Sequence, residues 1–452
     1  MNNNLVTNIP KSVKVLYISR VTFTQEMVDA ISKLTNINTL YLSEVQASDE
    51  LDFRKFENLK NLTLLVISYD IKEAALLPPS SLNVVQKNLF QYCQSLKKLE
   101  IHNGSFYRFS LDAIGNLTEL EELVLKNATF NDDLDFSSLK NLVNLTNFEL
   151  NCSARGPLKT FSPNFFLLTK LKSLTLLYCQ FTTFTTSLEN SLTWSNLINL
   201  KNITAMYSVP EPIDLDDPLF NPPNLKYLNL NSNKYSTIPE NIGKLKKLEI
   251  LDVSYNNLIS LPKAIGDLES LKFLYLNYNL ITSIPDEIGN LKNLIHTNLS
   301  HNEIINIPSS LGNLENLEEL YLESNLIDDY LPESLNNLPK LHTITLDFNI
   351  NIKGKTLSSP NLQNCKYSPP LRGRFIDYID SYSLCESANA ICKNSNDKFL
   401  QCEEIDEPSD ASEPSDGTDY TEPTDGTDDV EPSDDIELFD YNEIFNYVEP
   451  SD

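Results

Sequence analysis

The chain is predicted to fold as an α/β solenoid of about 14 repeats, on three observations. One phrase recurs six times in residues 224–349: NLKYLNLNSN, KLEILDVSYN, SLKFLYLNYN, NLIHTNLSHN, NLEELYLESN and KLHTITLDFN. Its closing asparagines, Asn233, Asn256, Asn279, Asn302, Asn325 and Asn349, are spaced by 23 residues four times and then by 24. A proline column (Pro239, Pro262, Pro285, Pro308, Pro332) and a glycine column (Gly243, Gly266, Gly289, Gly312) keep nearly the same step. A fixed period of this length marks stacked units that cannot bury their apolar faces alone.

Each part of the phrase has a physical reading. Leu274 and Leu276 alternate with polar residues, the period of a short strand with one buried face. Ile284, Ile288, Leu291 and Leu294 follow at helical offsets and predict a short helical return on the convex side. The asparagines are predicted to be buried, satisfying backbone groups that the turn carries inward. The prolines hold the chain extended as it leaves the turn.

Looser copies begin at Val13, Ile37, Leu62, Leu96, Leu120, Leu145, Leu171 and Leu200, which makes 14 units with the six regular ones. The chain thereby divides into an edge segment (1–12), irregular repeats (13–220), regular repeats (221–349), a cap with four cysteines (350–402) and a tail (403–452). PPSSLNVVQKNLFQYCQ, in the longest unit, predicts a convex helix, and Leu371 to Tyr382 an amphipathic helix over the last repeat. The tail repeats EPSD and is too poor in aliphatics to fold, so an acidic, disordered arm is expected. Within it, DDIELFDYNEIFNYV has the composition of a linear motif.

LPKAIGDLESLKFLYLNYNLITSIPDEIG resembles the 23-residue leucine-rich repeats of intracellular scaffolds, such as the plant Ras-group and Scribble-type proteins, and of many fungal repeat proteins. The resemblance is close over 220–350 and loose over 13–220. It implies a leucine-rich-repeat horseshoe whose concave parallel sheet binds a protein partner, with no cofactor and no enzymatic activity. It does not imply a particular partner; a small GTPase, or a basic segment drawn by the acids beside the aromatic strip, is the partner expected.

Formal net charge is −28, from 35 basic and 63 acidic residues. The tail holds 20 of those acids and no Lys or Arg, which argues against nucleic acid or an anionic membrane as partner. No apolar run is long enough to span a membrane. MNNNLVTNIPKSVKVLYISR shows no secretory signal, so a cytoplasmic monomer is expected, and a secreted or cell-surface recognition protein is the alternative. An acidic chaperone for basic proteins is a third reading. Eight N-x-S/T sequons are weak evidence for secretion, since Asn-Leu-Thr arises from the repeat grammar itself.

Cys93, Cys152 and Cys179 fall within repeats, Cys179 at the asparagine position. Cys365, Cys385, Cys392 and Cys402 lie beyond the regular block. Free thiols are expected, with capping disulfides as the alternative.

Catalytic signals are thin. His296 and His301 share a unit, and Glu319 and Glu323 lie one repeat away, but no metal-site spacing supports them. KGKT at 353–356 lacks the glycine a phosphate-binding loop needs. The predicted protein-binding strip lies on the concave face and its edge. Tyr178, Tyr207, Tyr255, Tyr278, His301 and Phe348 share one column, and Tyr275, Tyr321, Asp252, Glu319 and Glu323 are its neighbours. Such a strip suits recognition, since tyrosine is enriched at binding hot spots; stacking that merely stiffens the ladder is the competing reading.

Overall fold

A computed structural model describes residues 9–47, 51–69, 89–106, 108–130, 136–153, 163–179, 193–208, 222–328, 330–350, 352, 357–367 and 392. Within residues 1–402 fifteen described strands form a sequential parallel ladder from Val15–Ser19 to Asn364–Lys366, and the short strands Thr22–Phe23 and Gln46–Ala47 pair apart from it. The EPSD tail, Leu371 to Tyr382, KGKT and most of the predicted convex helix lie outside the described residues.

Register follows from the repeat. Phe273, Leu274 and Tyr275 pair with His296, Thr297 and Asn298, so each position meets its own equivalent one repeat on. The alternating leucines thereby form continuous columns, and Leu274, Leu276, Leu320 and Leu322 are fully buried. Thr297 stands in the leucine column, buried, with its hydroxyl lacking a partner among the described residues.

The convex returns are short and helical, as expected. In the regular block each is a five-residue 3-10 turn, such as Asp286–Asn290, introduced by a proline (Pro285, φ −71°, ψ 149°). The turns also pack closely: a Cβ on Gly266 would lie 2.3 Å from the Glu287 carbonyl oxygen, so only glycine fits there. The described α-helices, Gln25–Ile31 and Arg108–Gly115, occur in two irregular units of 24 residues that lack the proline.

The asparagine column is buried as expected. Asn279 donates from Nδ2 to the carbonyls of Val253 and Leu276, 3.0 Å each, and accepts from Leu258 N–H at 3.0 Å. One amide therefore ties a repeat to the one before it. Asn256, Asn302 and Asn325 repeat the pattern. In the irregular half the same position holds Gly104, Ala128, Ser153, Cys179 and Ser208. There aromatic packing fills the interior instead: Phe130, Phe136, Phe148, Phe165, Phe166 and Trp194 meet in succession at 5.3–6.5 Å between ring centroids.

Two expectations need correction here. The cysteines are not all free: Cys152 is bonded to Cys179 and Cys365 to Cys392, while Cys93 is a buried thiol. Cys385 and Cys402 lie outside the described residues. The region after Asn349 also contributes a further strand, Asn364–Lys366, paired with Thr343–Thr345. Cys365 and Tyr367 stand buried where leucines would, which hides the unit from a leucine count.

Candidate protein-binding surface

Where each strand ends, the chain turns through the left-handed region. Arg20, Glu44, Asn103, Asn127, Tyr178, Tyr207, Ser232, Tyr255, Tyr278, His301, Ser324 and Phe348 all have φ between 50° and 59°. Every one stands just before the asparagine position. A side chain there costs about 1–2 kcal/mol relative to a right-handed residue, a cost that glycine avoids. The backbone holds it because the N–H donates to the next repeat, as from Tyr278 to the Ser300 carbonyl at 3.1 Å and likewise from Tyr255, His301 and Ser324.

That turn throws the side chains outward along one edge of the sheet. Tyr178 and Tyr207 stack at 5.0 Å and 5°. Tyr255, Tyr278 and His301 form a second stack, at 4.3 and 4.1 Å, with planes within 12°. Stacking does not bury them: Tyr278, between two rings, keeps 42% of its surface exposed, and Phe348, at the end of the column, keeps 50%. The stiffening and the recognition readings of this column are thus both compatible with one geometry. Burial lowers the pKa of His301, against the opposing pull of Glu323, so the ring is favoured as neutral in the stack.

Beside this edge, on the concave face, lies a second group. His296 sits between Tyr275 and Tyr321, with ring centroids at 5.0 and 5.2 Å. Its Nδ1 lies 2.8 Å from Glu319 Oε2, which also accepts from the Tyr321 hydroxyl at 3.2 Å. Burial pushes the His296 pKa down while Glu319 pulls it up. The Tyr321 hydroxyl is pushed up to about 12 by burial and then by Glu319. His296 Nε2 has no hydrogen-bond partner among the described residues. Glu323 is held by the Thr345 hydroxyl.

Asp252 does not belong to the strip. It is only 7% exposed, and its Oδ1 accepts from Ser254 N–H at 3.0 Å and from Ser254 Oγ at 2.6 Å. Asn229 and Asn231, which the strand pattern also places on the concave face, are buried too. The alternation rule assigns the face correctly, but neighbouring repeats at strand spacing bury a short side chain that folds back onto its own turn. Conversely, His296 is central to the group although strand position alone does not single it out. Its neighbours one repeat either way, Tyr275 and Tyr321, are the signal. Among the described residues no cluster of metal-ligating side chains forms, and His301 is stacked away from His296's carboxylate partner.

Residues 217–385 match the family model of a leucine-rich repeat region. The chain folds as a leucine-rich-repeat solenoid. Among solved structures, this leucine-rich-repeat chain is similar to a leucine-rich-repeat protein of Leptospira interrogans, at 24% identity and a TM-score of 0.59 over 82% of this chain and 88% of that one. An internalin of Listeria monocytogenes aligns at 22% identity and a TM-score of 0.50, over 80% and 88%. Drosophila Toll, in its complex with Spatzle, aligns at 20% and 0.55, over 72% of this chain and 46% of that one. At such identities the likeness establishes the fold. It does not extend to the finer Ras-group or Scribble-type resemblance. No curated protein matches the sequence.

Proposed function

We propose that this chain is a non-enzymatic recognition scaffold that binds a protein partner along the concave face and its aromatic edge. The observation that carries this reading is the left-handed column. A position where glycine would sit unstrained instead holds Tyr178, Tyr207, Tyr255, Tyr278, His301 and Phe348, all exposed except the half-buried His301. Strain retained at many equivalent positions points to use of the side chain. Ring stacking returns about 0.5–1.5 kcal/mol per pair, comparable to the strain, so the rings are rigid before a partner arrives. Rigid aromatics lose little entropy on binding. Glu319 and Glu323 beside them favour a basic segment on the partner.

The test is affinity capture with the full chain, repeated with a Tyr275→Ala/Tyr278→Ala variant and with a chain ending at residue 402. The double variant is expected to lose about 2–4 kcal/mol of binding, and the shortened chain to bind normally. Normal capture by the double variant, with loss in the shortened chain, would refute the assignment.

The disulfides favour a second reading within this one. Such bonds persist in oxidising compartments, so Cys152–Cys179 and Cys365–Cys392 support a secreted or cell-surface recognition protein over a cytoplasmic one. Non-reducing peptide mapping of protein purified from its source tests this: free thiols at all four positions would return the chain to the cytoplasm.

A further inference from the structure

The aromatic edge is interrupted twice, at Ser232 and at Ser324. Ser324 keeps the left-handed turn of its neighbours, with φ 54° against 53° at His301 and 58° at Phe348. Its side chain is therefore set on the same line, but it supplies only a hydroxymethyl. Rings in adjacent repeats of this column stack at 4.1–5.0 Å. Skipping one repeat leaves the His301 and Phe348 rings two strand spacings apart, roughly 10 Å. That is two stacking distances, the room one flat group needs to lie against both rings.

The slot is flanked by acids. Glu323 precedes Ser324 and Asp347 precedes Phe348, and Ser324 N–H donates to the Asp347 carbonyl at 2.7 Å, holding the two turns side by side. The Glu323 carboxylate accepts from Thr345. No side-chain hydrogen bond or ion pair engages the Asp347 carboxylate among the described residues. At the other gap the equivalent positions are Asn231 and Ser254, both neutral and buried.

We infer that the slot between His301 and Phe348 receives the guanidinium of an arginine from the partner. This rests on the protein-binding reading above and gives it one specific chemical contact. A guanidinium is planar, so it lies against both rings, and cationic, so it meets the neighbouring carboxylates through its forked donors. A lysine ammonium carries the charge without the plane. A neutral ring has the plane but leaves Asp347 without a counter-charge. The Ser232 gap has the plane alone, so it gives no preference for a cation.

A displayed library of random short peptides, selected on the immobilised full chain, tests the inference. Binding of recovered peptides is compared between the wild type, Ser324→Tyr and Tyr275→Ala/Tyr321→Ala. Tyrosine already occupies this column at Tyr255 and Tyr278, so Ser324→Tyr fills the slot in a conformation the ladder accepts; unchanged thermal melting confirms it. The expected result is peptides sharing one arginine, which Ser324→Tyr weakens about tenfold or more. Changing that arginine to lysine or to citrulline should weaken binding about as much. Failure to recover any Ser324-sensitive peptide overturns the inference, as does a lysine or citrulline form that binds as tightly as the arginine peptide. Peptides sensitive to Tyr275→Ala/Tyr321→Ala but not to Ser324→Tyr sink the slot and leave the scaffold reading standing. Peptides sensitive to neither sink both.

Discussion

Replacing Asn279 by leucine separates two accounts of what holds the repeats together. If apolar columns alone sufficed, leucine at this buried position would be harmless or better. The structure assigns the amide three hydrogen bonds of 3.0 Å, two of them to the preceding repeat. Each buried bond contributes about 1 kcal/mol net, and each backbone group left unpaired costs about 1–3 kcal/mol. Leucine is similar in size, so the cavity contribution is small. Loss of three bonds, with Leu258 N–H orphaned in the interior, gives an expected destabilisation of about 3–5 kcal/mol. Asn277, two residues earlier, is half-exposed and its side chain makes no hydrogen bond among the described residues. Asn277→Ala should therefore stay within about 0.5 kcal/mol. Urea unfolding followed by circular dichroism measures both, compared at the midpoint. A split transition in Asn279→Leu would place the damage in the adjoining repeats, as expected where stability is carried between neighbours. Equal effects of the two substitutions, or an Asn279→Leu loss below about 1 kcal/mol, would refute the reasoning.

Asp252→Asn should stabilise the chain at neutral pH. Burial raises the Asp252 pKa above the ordinary 3.8, so the wild type loses stability as pH rises through the folded value, and the asparagine variant does not. Asn298, at the equivalent position, already accepts the same two bonds from Ser300. The two proteins should converge as pH falls toward 3.8, and a difference independent of pH in paired urea melts would contradict this. Tyr278→Gly should be more stable than Tyr278→Ala by about 1 kcal/mol, since alanine keeps the left-handed strain and glycine removes it; the reverse order in thermal melts would show that the turn is unstrained. Reduction of Cys152–Cys179, which closes a 27-residue separation, should cost about 3 kcal/mol. A Cys152→Ala/Cys179→Ala variant that melts with the oxidised wild type would show that the bond does not stabilise the fold.

Much of the architecture was legible in the residues because it is periodic. Leu-x-Leu at a constant step can be satisfied in only one way, with equivalent positions side by side. The same step carries the asparagines inward and the prolines to the head of each convex turn. The column of Tyr178, Tyr207, Tyr255, Tyr278, His301 and Phe348 was legible for the same reason. Other features depend on what lies across the repeat interface. Whether Asp252 faces a partner or folds onto Ser254 depends on its neighbours one strand away, which the alternation rule does not weigh. The Cys152–Cys179 bond joins positions one residue out of equivalence, so a column count does not pair them. Cys365 and Tyr367 conceal the last strand because burial, not leucine, is what the position requires. Composition and period thus determined the ladder, and tertiary packing decided which of its surface positions remain available. Periodicity fixes which residues share a line, whereas exposure depends on the volume that the adjoining repeats leave around each one.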